Sequence, residues 1–193
     1  LSGLVGSEMC IRDSQGLTLS DVAEGRATMN AFIAQLSVEE LACLARGEGM
    51  CSHKVTPGVA SAFGGVADSL LEKGIPLAST ADGPSGIRMD NGAKATLLPS
   101  GTLLASSWDP ILVERLYVME GKELLRNGID LLLGPGMNIQ RHPLNGRNFE
   151  YFSEDPLLSG MMAAAVVRGI RSGGGIATLK HFACNNQEFA RAR

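Results

Sequence analysis

No stretch of the 193 residues stays apolar for anything near the roughly 18 to 20 residues that cross a bilayer, so a membrane-spanning helix is not expected. Nor is there an excess of positive charge. The 17 Lys and Arg stand against 20 Asp and Glu, a net −3 at pH 7, which gives no electrostatic reason to expect a nucleic-acid partner. Cysteine is sparse and lacks paired spacing. Cys10, Cys43, Cys51 and Cys184 are scattered, so they read as small buried or free thiols of a reducing, bacterial cytoplasmic compartment rather than as a disulfide framework. The signatures GxSxG, HExxH, P-loop and GxGxxG do not occur, which leaves acyl transfer, zinc hydrolysis and nucleotide binding without their usual support. No cofactor is expected on these grounds. Aromatic residues make up only 5 %, whereas glycine occurs 24 times, a balance that suits many tight turns between strands and helices.

The chain begins with Leu1 rather than Met and stops at Arg193, just after a motif, so it reads as a fragment. Its residues 7–14, SEMCIRDS, resemble adapter read-through, and residues 1–14 are set aside as a non-native segment. Residues 15–46 read as a helical leader, in which Ser37 and Glu40 form a capping box and Leu36, Leu41 and Leu44 recur at helical spacing. Residues 47–193 read as one incomplete domain. It opens on a Gly-, Ser- and Ala-rich stretch, 47–65, whose side chains are too small to pack a core and which is expected to be irregular. Cys51 and His53 lie there, and an ordinary loop thiol and imidazole explain them better than a metal site. A short helix over 66–73 then ends at Gly74, and IPLAST reads as a buried strand.

Two units of the same grammar follow. Asp109-Pro110 and Asp155-Pro156 each place an N-cap Asp before a Pro at N1. The first helix runs to about Asn127, is closed by Gly128 and leads into IDLLL; the second runs to about Ser172, is closed by glycines 173 to 175 and leads into IATLK. Continuous rather than alternating apolar strands, separated by helices, argue for a parallel sheet buried on both faces. Right-handed crossovers then place Asp82, Asn138, Arg147, Lys180 and His181 on one face, where α/β folds build their sites.

The loop RHPLNGRNFEYFSEDP, 141–156, carries Arg141, His142, Arg147, Glu150, Glu154 and Asp155, and composition alone would allow a solvated connection. Lys180 and His181 follow the next strand at the same edge, which favours a site. Asp82 and Arg88 stand six residues apart across a Gly- and Pro-rich turn, where a plain Asp-Gly turn with a surface ion pair is the simpler alternative. The set holds one carboxylate with several donors and forms no catalytic triad. Such groups suit a ligand dense in hydroxyls, since Asp accepts hydroxyl protons while Arg, Lys and His donate to oxygens.

The segments ADGPSGIR, GPGMNIQRHPLNGRNFEYFSEDP and KHFACNNQE together resemble the corresponding blocks of glycoside hydrolase family 3, in its β-glucosidase branch, and the likeness runs through most of residues 17–193. The resemblance implies an α/β fold that is about the first half of a (β/α)8 TIM-type barrel. It implies that Asp82, Arg88, Arg147, Lys180 and His181 hold the non-reducing sugar of a β-glucoside substrate. Family members that are β-N-acetylglucosaminidases carry a KHFPGHG-type segment, where this chain has Ala183, Cys184 and Asn185, which favours the glucosidase branch. The family's nucleophile, an Asp in an SDW-like segment, does not occur in the chain and is expected downstream of Arg193. The acid/base carboxylate belongs to a second domain, so no catalytic residue is assigned here. A non-catalytic carbohydrate-binding or structural module, or a family 3 enzyme of other specificity such as a β-xylosidase, is the alternative. Metal-dependent hydrolysis through His53, His142, His181 and Cys184 lacks ligand-type spacing, and the oligomeric state is left open.

Overall fold

The computed structural model describes residues 16–50 and 52–192. The set-aside segment with Cys10, and also Cys51 and Arg193, therefore lie outside the described residues, and so does the expectation of a nucleophile downstream of Arg193. The chain divides into two compact units, residues 1–54 with 61–78, and residues 55–60 with 79–193.

The first unit holds three short helices, α1 (Leu19–Ala23), α2 (Met29–Ala34) and α3 (Val38–Arg46), then strand β1 (Ser61–Gly64) and helix α4 (Asp68–Glu72). The expected capping box is present: Ser37 Oγ accepts from the Glu40 N–H at 3.1 Å, and Glu40 Oε2 accepts from the Ser37 N–H at 2.9 Å. The second carboxylate oxygen takes the Lys73 ammonium at 2.6 Å. The Lys73 hydrogen bond, aided by Ser69 and the Ser37 N–H, lowers the Glu40 pKa to about 2. The expectation of an irregular 47–65 needs correction, because Ser61–Gly64 is a strand. Ala62 exchanges main-chain hydrogen bonds with Glu48 and is only 1 % exposed. Small side chains there permit close backbone approach, a role that hydrophobic periodicity does not register.

The second unit carries the sheet edge of interest. Strand β2 (Leu77–Asp82), of which Ser79–Asp82 belong here, pairs in parallel with β3 (Leu131–Leu133), and β3 pairs in parallel with β4 (Ile176–Ala177). Between them run α5 (Gly101–Ala105), α6 (Pro110–Arg126) and α7 (Pro156–Gly173). Both Asp-Pro starts form as expected. Asp109 Oδ1 accepts from the N–H groups of Ile111 and Leu112, each at 3.0 Å, and Asp155 Oδ1 accepts from Leu158 at 2.7 Å. Each Pro sits where the helix needs no N–H from it. The expected strand IATLK is shorter than its apolar run: regular pairing stops at Ala177. Its partner β3 itself ends at Leu133, and Pro135, two residues on, has no N–H to donate. The chain instead tracks its neighbour through Thr178 N–H to Leu132 and Gly134 carbonyls, Lys180 N–H to the Pro135 carbonyl at 3.0 Å, and Met137 N–H to the Lys180 carbonyl at 2.7 Å.

The core of this unit joins the sheet residues Ala81 and Leu132 to Val113, Tyr117 and Leu124 of α6 and to Met162, Val166 and Ile170 of α7. The two helices approach closely because glycine faces glycine. A Cβ on Gly121 would stand 2.9 Å from the Gly173 Cα and 2.5 Å from the Ile170 carbonyl oxygen, and one on Gly173 would stand 2.8 Å from the Gly121 Cα. Among the described residues no helix is long and apolar enough to cross a membrane.

Beside that seam Glu120 of α6 is 2 % exposed, and among the described residues neither carboxyl oxygen has a hydrogen-bond partner. Burial, helped by the charge of Glu123, raises its pKa to about 8. A raised pKa means that the folded state prefers the protonated form, so this group costs nothing below its unfolded pKa of 4.5 and erodes stability as pH climbs from there to about 8. Glu120→Gln, which does not titrate, should therefore gain on the parent by about 1.4 kcal/mol per pH unit across that window. Urea melts of both proteins at pH 5, 6.5 and 8 check this, and a stability difference that does not change with pH refutes it.

Candidate functional site

The carboxyl ends of β2, β3 and β4 deliver Asp82, the loop 134–155 and Lys180-His181 to one place. Loop 134–155 owes its shape to Gln140. Its Nε2 donates to Thr102 Oγ1 at 2.8 Å and to the carbonyls of Asn148 and Tyr151 at 3.1 Å, while its N–H donates to the Ser153 carbonyl. A 3-10 turn, Asn148–Glu150, follows Arg147 and turns Glu150 inward.

At the centre, Lys180 Nζ lies 2.8 Å from Asp82 Oδ1 and 2.9 Å from Glu150 Oε2. The two carboxylates differ in depth, the Asp82 side chain being 37 % exposed and that of Glu150 only 3 %. The other oxygen of Glu150, Oε1, takes both Nε and Nη2 of Arg147. Arg147 Nη2 also reaches His181 Nε2 at 2.7 Å. A guanidinium only donates, so Nε2 accepts, the imidazole is neutral, and its proton sits on Nδ1, donated to the Tyr151 hydroxyl at 3.0 Å. Tyr151 is fully buried and its hydroxyl accepts a second hydrogen bond from Asn185 Nδ2 at 2.8 Å. The His181 N–H donates to Asn138 Oδ1 at 2.8 Å.

Electrostatics follow this wiring. Burial works against a charge on Asp82, but the hydrogen bond and charge of Lys180, the Gly83 N–H and Arg147 outweigh it and hold its carboxyl below the ordinary range. Burial and then the Arg147 charge push the His181 pKa down, against a smaller opposing pull from Glu150, which agrees with a neutral ring. Two open cavities share His181 on their walls. One, of about 650 Å³, is lined by Met137, Ile139, Leu179 and Phe182 among others, and the second, of about 460 Å³, has Arg147 and Glu188 on its wall. Lys180 and Asn138 also line the first cavity, so the cations and His181 of the network face open space, whereas Asp82 and Glu150 line neither cavity.

Of the residues singled out from the sequence, Asp82, Arg147, Lys180, His181 and Asn138 come together. Arg88 joins only through its main chain, whose N–H donates to the Asp82 carbonyl at 2.8 Å; its guanidinium turns out to Asp90 at 2.8 Å and is 64 % exposed. Glu150, Tyr151 and Asn185 carry the network without having been assigned a role. A carboxylate set among aromatics in FEYF was the available sign, since a charge is buried only with partners. Among the described residues no three His, Cys, Asp or Glu side chains cluster as a metal site, and Cys43 and Cys184 are free thiols.

Residues 21–189 match the model of the glycosyl hydrolase family 3 N-terminal domain. A β-glucosidase from Ruminococcus albus is 56 % identical over 189 residues, covering 98 % of this chain and 20 % of that protein. A solved β-glucosidase structure from Paenibacillus barengoltzii is 71 % identical with a TM-score of 0.85, over 90 % of this chain and 19 % of that one. β-Glucosidase 3B from Thermotoga neapolitana, solved in complex with glucose, is 39 % identical with a TM-score of 0.74, over 82 % and 23 % of the two chains. The chain thus spans about a fifth of the length of these relatives.

Gly136 sits behind the network. A Cβ there would lie 2.6 Å from the Glu150 carbonyl oxygen and 3.0 Å from its Cβ. Gly136→Ala should therefore destabilise the fold by about 1 to 3 kcal/mol, the usual cost of forcing extra volume into a packed site. Equilibrium urea denaturation measures it, and an unchanged midpoint would show that Glu150 is not seated against this glycine.

Proposed function

The chain belongs to glycosyl hydrolase family 3, and from that membership we propose that it is the sugar-gripping part of a retaining β-glucosidase, acting on terminal, non-reducing β-D-glucosyl residues. The observation that carries this reading is the Lys180 ammonium shared between Asp82 and Glu150 at the carboxyl edge of a parallel sheet. Strands β2, β3 and β4 pair in chain order with helices between, which supports the start of a (β/α)8 barrel rather than a doubly wound sheet with a reversal in its order.

In this reading Asp82 accepts from sugar hydroxyls, being the more exposed of the two carboxylates. Lys180 and Arg147 donate to sugar oxygens with the N–H groups that their carboxylate partners leave over. His181, both of whose ring nitrogens are engaged, keeps Arg147 in place from the side. Arg88 can join by leaving Asp90, because an exposed ion pair costs about 0 to 1 kcal/mol to give up. Retaining hydrolysis needs two carboxyl groups about 5 to 5.5 Å apart, one to attack and one to protonate the leaving oxygen. Asp82 and Glu150 are both committed to Lys180, so this reading assigns that pair to the remaining length of the enzyme, with the nucleophile downstream of the position of Arg193.

Replacing Asp82 by Ala in the full-length enzyme removes charged hydrogen bonds worth about 1.5 to 3 kcal/mol each. Binding energy of remote hydroxyls is used at the reacting carbon, so the loss should fall on kcat as well as KM, and kcat/KM for an aryl β-glucoside should drop roughly 10- to 100-fold or more. Arg168→Gln, at the exposed Arg168–Glu114 pair, should change little. Near-parental kcat/KM in Asp82→Ala would sink the assignment.

A further inference from the structure

Glu150 is the one carboxylate of the network that solvent does not reach, and nothing in the sugar-binding reading requires it to touch a ligand. Its position is nevertheless the most constrained in the cluster. The backbone passes over Gly136, where no Cβ fits, and also lies against Gly101, whose Cβ would be 3.3 Å from the Glu150 carbonyl oxygen. The residues that follow it, Tyr151 and Phe152, are buried in turn. Its N–H donates to the Arg147 carbonyl at 3.0 Å, which ties its main chain to the residue whose guanidinium its side chain holds.

The donor count shows what this accomplishes. An ammonium has three N–H groups and a guanidinium five in a rigid fork. Lys180 donates one to Asp82 and meets Glu150 Oε2 as an ion pair at 2.9 Å without hydrogen-bond geometry, so Glu150 holds the ammonium by charge while its other N–H groups stay available. Arg147 places Nε and Nη2 on Glu150, with Nη2 also on His181, leaving the two N–H groups of Nη1, whose nearest carboxylate oxygen, on Glu188, is 3.7 Å away. One carboxylate therefore decides which N–H groups of two different cations face outward, and it offsets the repulsion between those cations.

We propose that Glu150 is the positioning residue of the sugar site, a buried carboxylate that acts on the ligand only by fixing where Lys180 and Arg147 present their remaining N–H groups. This rests on the reading of the site as a sugar subsite. In Glu150→Gln the shape is kept, but the amide places either an N–H donor or a neutral oxygen where Lys180 now meets a charge. Groups that orient metal ligands from behind typically matter by about 10- to 100-fold, and the same order is expected for a carboxylate that orients two cations.

The experiment is a double-mutant cycle in the full-length enzyme, read as the dissociation constant for glucose by calorimetry. Glu150→Gln should weaken glucose roughly tenfold or more in the parent and by a clearly smaller factor in a Lys180→Ala background, where only its hold on Arg147 is left to lose, because residues acting through one another are not additive. Glu150→Asp, which keeps the charge but retracts it by one methylene, should fall between parent and Gln. Equal losses in both backgrounds mean a merely structural role and overturn the proposal, as does an Asp variant that binds glucose like the parent, which serves if Gln does not fold. Lys180→Ala and Asp82→Ala read the underlying assignment separately. If both bind glucose normally, the subsite reading fails and the proposal with it; if both weaken glucose while Glu150→Gln does not, only the proposal falls.

Discussion

An ammonium group held between two carboxylates of unequal depth is the interaction on which the arrangement at this sheet edge depends. Lys180 arrives from β4, Asp82 from β2 and Glu150 from the loop after β3, so one cation draws together three successive crossover units. Removing Lys180 would leave Asp82 without its cation and Glu150 with Arg147 alone, so the cation is the member whose loss unbalances the cluster most. The inner carboxylate, Glu150, anchors the arrangement. The outer one, Asp82, is exposed enough to trade part of its pairing for another hydroxyl-rich partner.

The scaffold serves that edge through close approach. Gly121 and Gly173 let α6 and α7 touch along their backbones, and Gly136 lets the loop fold down on the end of β3. These contacts explain a composition rich in glycine and poor in aromatics. The apolar faces of Leu179 and Phe182, the latter fully exposed, lie along the same edge beyond the charged network.

Much of this was legible in the residues. The Asp-Pro helix starts, the Gly stops and the continuous apolar strands are local signals whose physics is contained in a few residues, and they gave two crossover units and the edge at which Asp82, Arg147, Lys180 and His181 assemble. Less local facts were not legible. Strand β1, Ser-Ala-Phe-Gly, is held through main-chain bonds in a stretch otherwise rich in small residues, and β4 stops at Ala177 although its apolar run continues to Leu179. The direction of Arg88, toward Asp90 rather than inward, depends on a turn geometry that spacing alone leaves open. Glu150 was visible as a loop carboxylate, but its weight comes from two partners, one three residues away and one thirty, which only the fold brings together.

The central claim is that Asp82 and Lys180 are held at this edge to grip a sugar. A crystal structure of the full-length enzyme with glucose tests it most directly. The account predicts glucose hydroxyl oxygens within about 3.2 Å of both the Asp82 carboxylate and the Lys180 ammonium, with Glu150 still buried behind them. Glucose bound elsewhere, with the Asp82–Lys180–Glu150 bridge intact and unapproached, would contradict it.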